Sequence, residues 1–336
     1  MRRRPSRAPS KGPVTFRRKL AIAAALVAAA LFAAVAFVVA RPEVLLHAEL
    51  TRQLHAAHLT KHTRNVAGHR WVYAERAANA PDAPTLVLVH GFTGIKENWY
   101  PLATAFDGRY RLVIPDLPGW GESERLPRES YGFLAQSERL AAFIRSVSPG
   151  KPVVLVGHSM GGGIAALVAA AYPQLVSRVA LLDAAGVRFH DNRFGEAVLA
   201  GRNPFAVHDR ASLDRYLATV FHRDDKRTVI PWPVDRAYIA QRTRDAAFEQ
   251  QVLDHIGRGP ERFLPGDEAT RIRQPTLLLW CRQDVVIDPS ALALYAARIP
   301  QASRVLLDDC GHMSLMERPA DVAAALDALI ERGRAR

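Results

Sequence analysis

The hydrophobic pattern changes character several times along the chain. Leu20 to Ala40 is an unbroken run of 21 apolar residues, about the length a helix needs to cross the hydrocarbon core of a bilayer. From Arg41 to Asn65 the apolar positions thin to Leu46, Leu50, Leu54 and Ala57, at helical spacing among polar neighbours. That predicts a juxtamembrane helix over 41–65. "HRWVYAER" (69–76) then alternates like a strand. Short continuous apolar runs follow: "TLVLVH" (85–90), "RLVIPD" (111–116), "VVLVG" (153–157), "RVALLDAA" (178–185), "TLLLWC" (276–281) and "RVLLDD" (304–309). Segments with helical periodicity lie between and after them, among them "SYGFLAQSERLAAFIRSV", "ALALYAARI" and "ADVAAALDALIERG". Buried strands alternating with helices predict a parallel α/β sheet.

One stretch breaks this rhythm. Between Gly186 and Arg273 no buried strand is evident, only helical patches such as "SLDRYLATVF" and "DRAYIAQRTRDAAFEQQVLDHI" around the proline-rich "IPWPVD". The predicted organisation is a core over 66–186 and 274–336, interrupted by a helical cap over 187–273. The chain's 336 residues, 49% of them hydrophobic, suffice for a large core of this kind.

Charge changes the reading of the start. Residues 1–19 carry eight lysines and arginines and no acid. A basic flank before an apolar run of this length predicts an uncleaved signal-anchor, with the flank cytoplasmic and everything after Arg41 exported. The alternative is a cleaved secretion signal ending at Val38-Val39-Ala40. Taking the flank's eight cations from the formal charge of +12 leaves +4 for the rest, so no nucleic-acid partner is implied. Two cysteines, Cys281 and Cys310, form neither a disulfide framework nor a zinc set, and no metal is expected. They leave two readings open: a pair of buried free thiols, or one bridge between neighbouring loops of an exported domain.

The chemistry centres on "VVLVGHSMGGGIAALVAA" (153–170). A serine between an apolar strand and an alanine-rich helix, with glycine two residues before and two after, fits a strained turn that lifts a nucleophile clear of the backbone. Ser159 is the predicted nucleophile, flanked by Gly157 and Gly161. Such a serine needs an imidazole base and an orienting acid, in the chain order Ser, acid, His. Of twelve histidines only His312, after the last strand in "LLDDCGHMSLMERP", stands in the right place. His90 is read as stabilising its own loop, and His158 as pointing away. Asp284, in "LLLWCRQDVVIDP", is the predicted acid. Asp288, before Pro289, reads as a turn or cap residue, and Asp183 as a sheet-edge hydrogen-bonding group. The oxyanion donors are predicted to be the backbone N–H groups of Met160 and Phe92.

With these residues placed, the sequence resembles the α/β-hydrolase superfamily over nearly all of residues 66–334. "LVHGFTG", "IPDLPGWGES", "GHSMGGGIA", "LLLWCRQDVVID" and "CGHMSLMERP" match its landmarks in order. The N-terminal helix, "HGF", "GHSMGG" and "CGHMSLMERP" are most similar to membrane-anchored monoacylglycerol-lipase-type serine hydrolases and related bacterial lipases. One departure is Cys281, where the family usually has glycine. The resemblance implies a mostly parallel eight-stranded sheet flanked by helices. It also implies cofactor-free hydrolysis of a small-molecule or lipid ester, with acylglycerols as the expected class, through Ser159, Asp284 and His312, with Phe92 and Met160 as oxyanion donors. Phe205, Tyr216, Phe221 and Trp232 of the cap are candidates to line an apolar acyl pocket. A carbon–carbon bond hydrolase of the same fold and an inactive membrane-tethered binding protein are the competing readings.

Overall fold

The computed structural model describes residues 14–222 and 230–332. Most of the basic flank and a short piece of the cap, residues 223–229, lie outside the described residues. Helix α1 (Val14–Ala40) contains a 25-residue stretch, Phe16–Ala40, of mean hydropathy 2.8 and with no part buried against the body. By length and composition it can cross a membrane. After Arg41 and Pro42 the chain turns into α2 (Glu43–Ala56).

The predicted juxtamembrane helix over 41–65 is therefore corrected: it stops at Ala56, and residues 60–66 form a strand, β1 (Thr60–Val66). β1 pairs antiparallel with β2 (His69–Arg76) through the two-residue turn Ala67-Gly68. Both turn residues have positive φ, 50° and 78°, as a tight hairpin connection requires. The strand's side chains are almost all exposed and polar, "TKHTRNV", so it carries no hydrophobic periodicity. Its backbone pairing holds it in place.

The remaining elements follow the alternating pattern. After β2 come β3 (Thr85–Val89), α3 (Tyr100–Thr104), β4 (Arg111–Pro115), α4 (Phe133–Val147), β5 (Val153–His158), α5 (Met160–Ala171) and β6 (Val176–Leu182). The chain then leaves the sheet through α6 (Arg193–Leu199), α7 (Arg210–Val220), α8 (Val234–Gly257) and α9 (Leu264–Glu268), with no strand among the described residues of this insertion. It returns with β7 (Thr276–Cys281), α10 (Ser290–Arg298), β8 (Ser303–Leu307), α11 (Ser314–Glu317) and α12 (Pro319–Glu331).

The eight strands lie in the order β1-β2-β4-β3-β5-β6-β7-β8. β2 is antiparallel to both its neighbours, and the other pairings are parallel. Because strand side chains alternate between faces, the sheet feeds two separate cores. Val87, Leu155, Val179 and Leu278 pack on one face with Leu140 and Ile144 of α4 and Ile164 of α5. Leu86, Val154, Ala180 and Leu277 pack on the other with Leu102 of α3 and Leu326 of α12. Both faces are covered, which is why the central strands read as continuous apolar runs. The carboxyl ends of β3, β5, β6 and β7 and the loop after β8 converge at one edge of the sheet, beneath the helical insertion.

Candidate active site

Ser159 sits at the junction of β5 and α5 with φ 55° and ψ −120°, a left-handed conformation that is strained for a residue with a side chain. The turn closes because its flanks have no side chains. A Cβ on Gly157 would lie 2.1 Å from the Gly161 carbonyl oxygen, and one on Gly161 would lie 2.4 Å from those of Val89 and His90. Gly91, in the loop after β3, is forced small for the same reason, since a Cβ there would come within 2.8 Å of Ser159 Cβ. That loop is thereby laid directly against the serine.

Ser159 Oγ is 2.9 Å from His312 Nε2, and His312 Nδ1 is 2.8 Å from Asp284 Oδ2. Asp284 is oriented in turn by N–H groups of Val286 and Ile287, which donate to its Oδ1 at 2.8 and 3.0 Å. All three side chains are buried. Burial pulls the His312 imidazole down to about 3, with Glu317 acting in the opposite sense. Its resting form is thus neutral, as a proton acceptor must be. Burial also pushes the Asp284 carboxyl upward, opposed by the two backbone N–H bonds.

The other two aspartates go elsewhere. Asp288 Oδ1 accepts the Ser290 N–H at the start of α10. Asp183 accepts from the Cys281 N–H at 2.9 Å and from Ser314 Oγ at 2.5 Å, fastening the ends of β6 and β7 to α11. Burial, with the neighbouring Asp284 charge behind it, drives the Asp183 carboxyl well up.

Two histidines set aside by sequence shape the site from behind. His90 accepts the Leu117 N–H at Nε2, 3.0 Å away, so its Nδ1 carries the proton and donates to the Gly91 carbonyl at 2.8 Å. The expectation that His158 points away from the site is corrected. Its Nε2 donates to the backbone carbonyl of His312 at 2.7 Å, tying the turn at Ser159 to the loop that carries the His312 imidazole. Its position next to Ser159 was the available signal, but its partner is 154 residues away.

The loop carrying Phe92 is pinned from its far end. Asp116, at the end of β4, accepts the backbone N–H of Lys96 at 2.7 Å and its Nζ at 2.9 Å. Burial works against the charge on Lys96, but Asp116, Glu97 and Glu122 outweigh it and hold its pKa up. Phe92 and Met160 both border the space above Ser159.

Cys281 and Cys310 are joined in a buried disulfide, so the reading with two free thiols is corrected. The two cysteines are brought together by β7 and β8, which pair Cys281 with Leu307, three residues before Cys310. The bridge starts three residues before Asp284 and ends two before His312.

Two cavities meet at Ser159 and Phe92. The larger, about 840 Å³, is bordered by His312, the loop after β3, and residues of α2 and α8. The smaller, about 230 Å³, runs beneath α6 among Phe189, Phe194, Val198 and Ile256. Of the four aromatics singled out by sequence, Phe205 borders both cavities and Tyr216 the larger. Phe221 packs against the core, and Trp232 is 62% exposed. Among the described residues no cluster of side chains could hold a metal ion.

The family model for the alpha/beta hydrolase fold matches residues 84–319. Lipase 1 of Psychrobacter immobilis is 30% identical over 275 residues, spanning 80% of this chain and 84% of its own. Monoacylglycerol lipase ABHD6 of Rattus norvegicus is 26% identical over 71% of this chain and 73% of its own. Among solved structures, one described as a membrane phospholipase A and bacterial virulence factor superposes with a TM-score of 0.82 at 32% identity, covering 95% of this chain and all of that one.

Proposed function

The chain belongs to the α/β-hydrolase family, and from that premise we propose that it is a membrane-tethered serine hydrolase cleaving carboxylic esters of acylglycerol-like lipids through an acyl-enzyme on Ser159. The observation that carries this reading is the continuous Ser159–His312–Asp284 hydrogen-bond chain, at 2.9 and 2.8 Å, at the head of a strand–turn–helix.

Neutral His312 accepts the Ser159 proton as Oγ attacks the ester carbonyl carbon. Asp284 holds the ring by its Nδ1 and stabilises the imidazolium that forms. The N–H groups of Phe92 and Met160 meet the developing oxyanion, and the positive end of α5 supports them. His312 then returns the proton to the departing alcohol oxygen. Water, deprotonated by the same imidazole, attacks the acyl carbonyl and releases the carboxylic acid.

Lipid rather than soluble esters are favoured by α1, which is apolar enough to sit in a bilayer, and by the lipase names of the relatives. In this reading α1 is a signal-anchor. The catalytic body then lies on the exported side, where a disulfide such as Cys281–Cys310 persists. The test is labelling of the full-length protein in detergent with a fluorophosphonate, followed by hydrolysis of acylglycerols. Labelling lost in Ser159→Ala together with release of fatty acid by the wild type is the expected result. A folded wild type that resists the probe would leave only a binding protein. Cleavage of dienol-type diketones with no action on esters would favour carbon–carbon hydrolysis.

A further inference from the structure

Two cavities open from one serine, and they are unequal in both size and lining. Building on the serine-hydrolase reading above, we propose that they divide the substrate at the scissile bond. The smaller takes an acyl chain of about eight carbons. The larger, walled by α2, takes the leaving alcohol with the rest of a glycerol-based lipid.

The assignment follows from where the proton must go. At the tetrahedral stage the former carbonyl carbon carries Ser159 Oγ, the oxyanion, the alcohol oxygen and the acyl chain. The alcohol oxygen receives the proton from His312 and so must lie on the imidazole side. His312 borders the larger cavity and is absent from the lining of the smaller. Met160, the predicted oxyanion donor, borders the smaller. The acyl chain is left with the smaller cavity.

Size then sets the chain length. If a methylene fills about the volume of one liquid water, roughly 30 Å³, a cavity of about 230 Å³ holds seven or eight of them. Leu199, which borders this cavity, is 57% exposed. The cavity therefore ends at solvent, and carbons beyond that point gain no further burial.

The larger cavity has more than three times the volume, about 840 Å³. One wall is α2, through Leu46, Glu49, Leu50 and Gln53, a mixture of apolar and polar side chains suited to an amphipathic group. Two residues separate α2 from the end of the apolar helix, and the Arg236 guanidinium of α8 donates to the Val39 carbonyl at 3.4 Å. This wall thus stands where the chain leaves the lipid phase, beside the part of a membrane lipid that remains after one acyl group is removed. A leaving group larger than the scissile chain fits this division, as in a phospholipid or a diacylglycerol.

The test uses full-length protein in mixed micelles, with a series of glycerol monoesters from four to sixteen carbons. kcat/KM should rise about fourfold per methylene to an optimum near eight carbons and gain nothing beyond. Val198→Phe, filling the smaller cavity, should move the optimum to shorter chains. Phe194→Ala, enlarging it, should move the optimum to longer ones. Gln53→Trp, on α2, should lower the rate on a dioctanoyl phospholipid relative to methyl octanoate by at least tenfold, with the acyl optimum unmoved. Fluorophosphonate labelling of Ser159 in each variant shows that the site is intact. An optimum at sixteen carbons overturns the division, as does a labelled Gln53→Trp protein whose acyl optimum shifts, or labelled Val198→Phe and Phe194→Ala proteins whose optima both stay put. Failure of the wild type to label would instead remove the serine-hydrolase reading on which it rests.

Discussion

The Cys281–Cys310 bridge brackets Asp284 and His312, the proposed acid and base, and replacing both cysteines with alanine separates two roles that it could have. One acts on the unfolded chain. The bridge closes a loop of 29 residues' separation, and the chain-entropy relation gives about 3.5 kcal/mol of lost stability for its removal. At roughly 2–4 °C per kcal/mol for a domain of this size, the melting temperature should fall by about 7–14 °C. The other role would be to hold Asp284 against His312 in the native state. Here the hydrogen bonds argue that the bridge is not needed. Asp284 is fixed by two N–H groups from its own loop. His312 is fixed through its carbonyl by His158. The Gly311 N–H is held by Glu317 at 2.7 Å and the Met313 N–H by the Val220 carbonyl at 3.1 Å. The Arg282 N–H remains on the Leu307 carbonyl at 2.8 Å. At 20 °C the double variant should therefore keep kcat/KM within about threefold of wild type while melting earlier. Thermal unfolding by circular dichroism and octanoate ester hydrolysis, run on the same preparation, read both quantities. An unchanged melting temperature would refute the entropic estimate. A drop in kcat of more than tenfold in a protein still folded at 20 °C would show that the covalent link, not the hydrogen bonds, keeps Asp284 and His312 in register.

Asp284→Asn preserves shape but presents the wrong partner to Nδ1, and should lower kcat on the order of 10⁴-fold with little change in KM in steady-state kinetics. Asp288→Asn should change activity less than threefold, since Asp288 Oδ1 is taken up by the Ser290 N–H at the start of α10; the reverse ranking of the two would move the proposed acid to Asp288. Gly91→Ala places a methyl 2.8 Å from Ser159 Cβ, so the loop bearing Phe92 must shift. A loss of about 10²–10³ in kcat is expected, the usual cost of one oxyanion donor, and unaltered kcat would separate Phe92 from the oxyanion. Burial holds His90, His158 and His312 below the ordinary imidazole value. In the unfolded chain they take up protons below about pH 6.5, whereas the folded chain resists doing so. The three histidines should therefore make stability fall as pH drops below that value, while Asp183 and Asp284, whose carboxyls burial pushes up, act in the opposite sense and only partly offset the three. Urea midpoints that do not change between pH 7.5 and 5 would contradict this.

The sequence by itself determined the parts whose information is local. A strand buried on both faces has to be apolar throughout, so most of the sheet could be read directly, and the bilayer-length run at Leu20–Ala40 is equally self-contained. The turn at Ser159 is as local: only small residues can stand at Gly157 and Gly161 around it, whatever the rest of the chain does. β1 could not be read because an exposed edge strand is held by its partner's backbone, and its side chains need show no pattern. What only the tertiary structure decided depends on distance between residues far apart in the chain. Asp183, Asp284 and Asp288 all follow strands, but only the approach of the loop after β8 selects Asp284 as the neighbour of His312. His158 and the cysteine bridge belong to the same class, because a single hydrogen bond or covalent link across the sheet edge imposes no spacing on the sequence. The division of space above Ser159 is likewise a property of the fold, since its walls come from α2, the loop after β3 and the helical insertion, and no one of these segments encloses a volume until the others are packed against it.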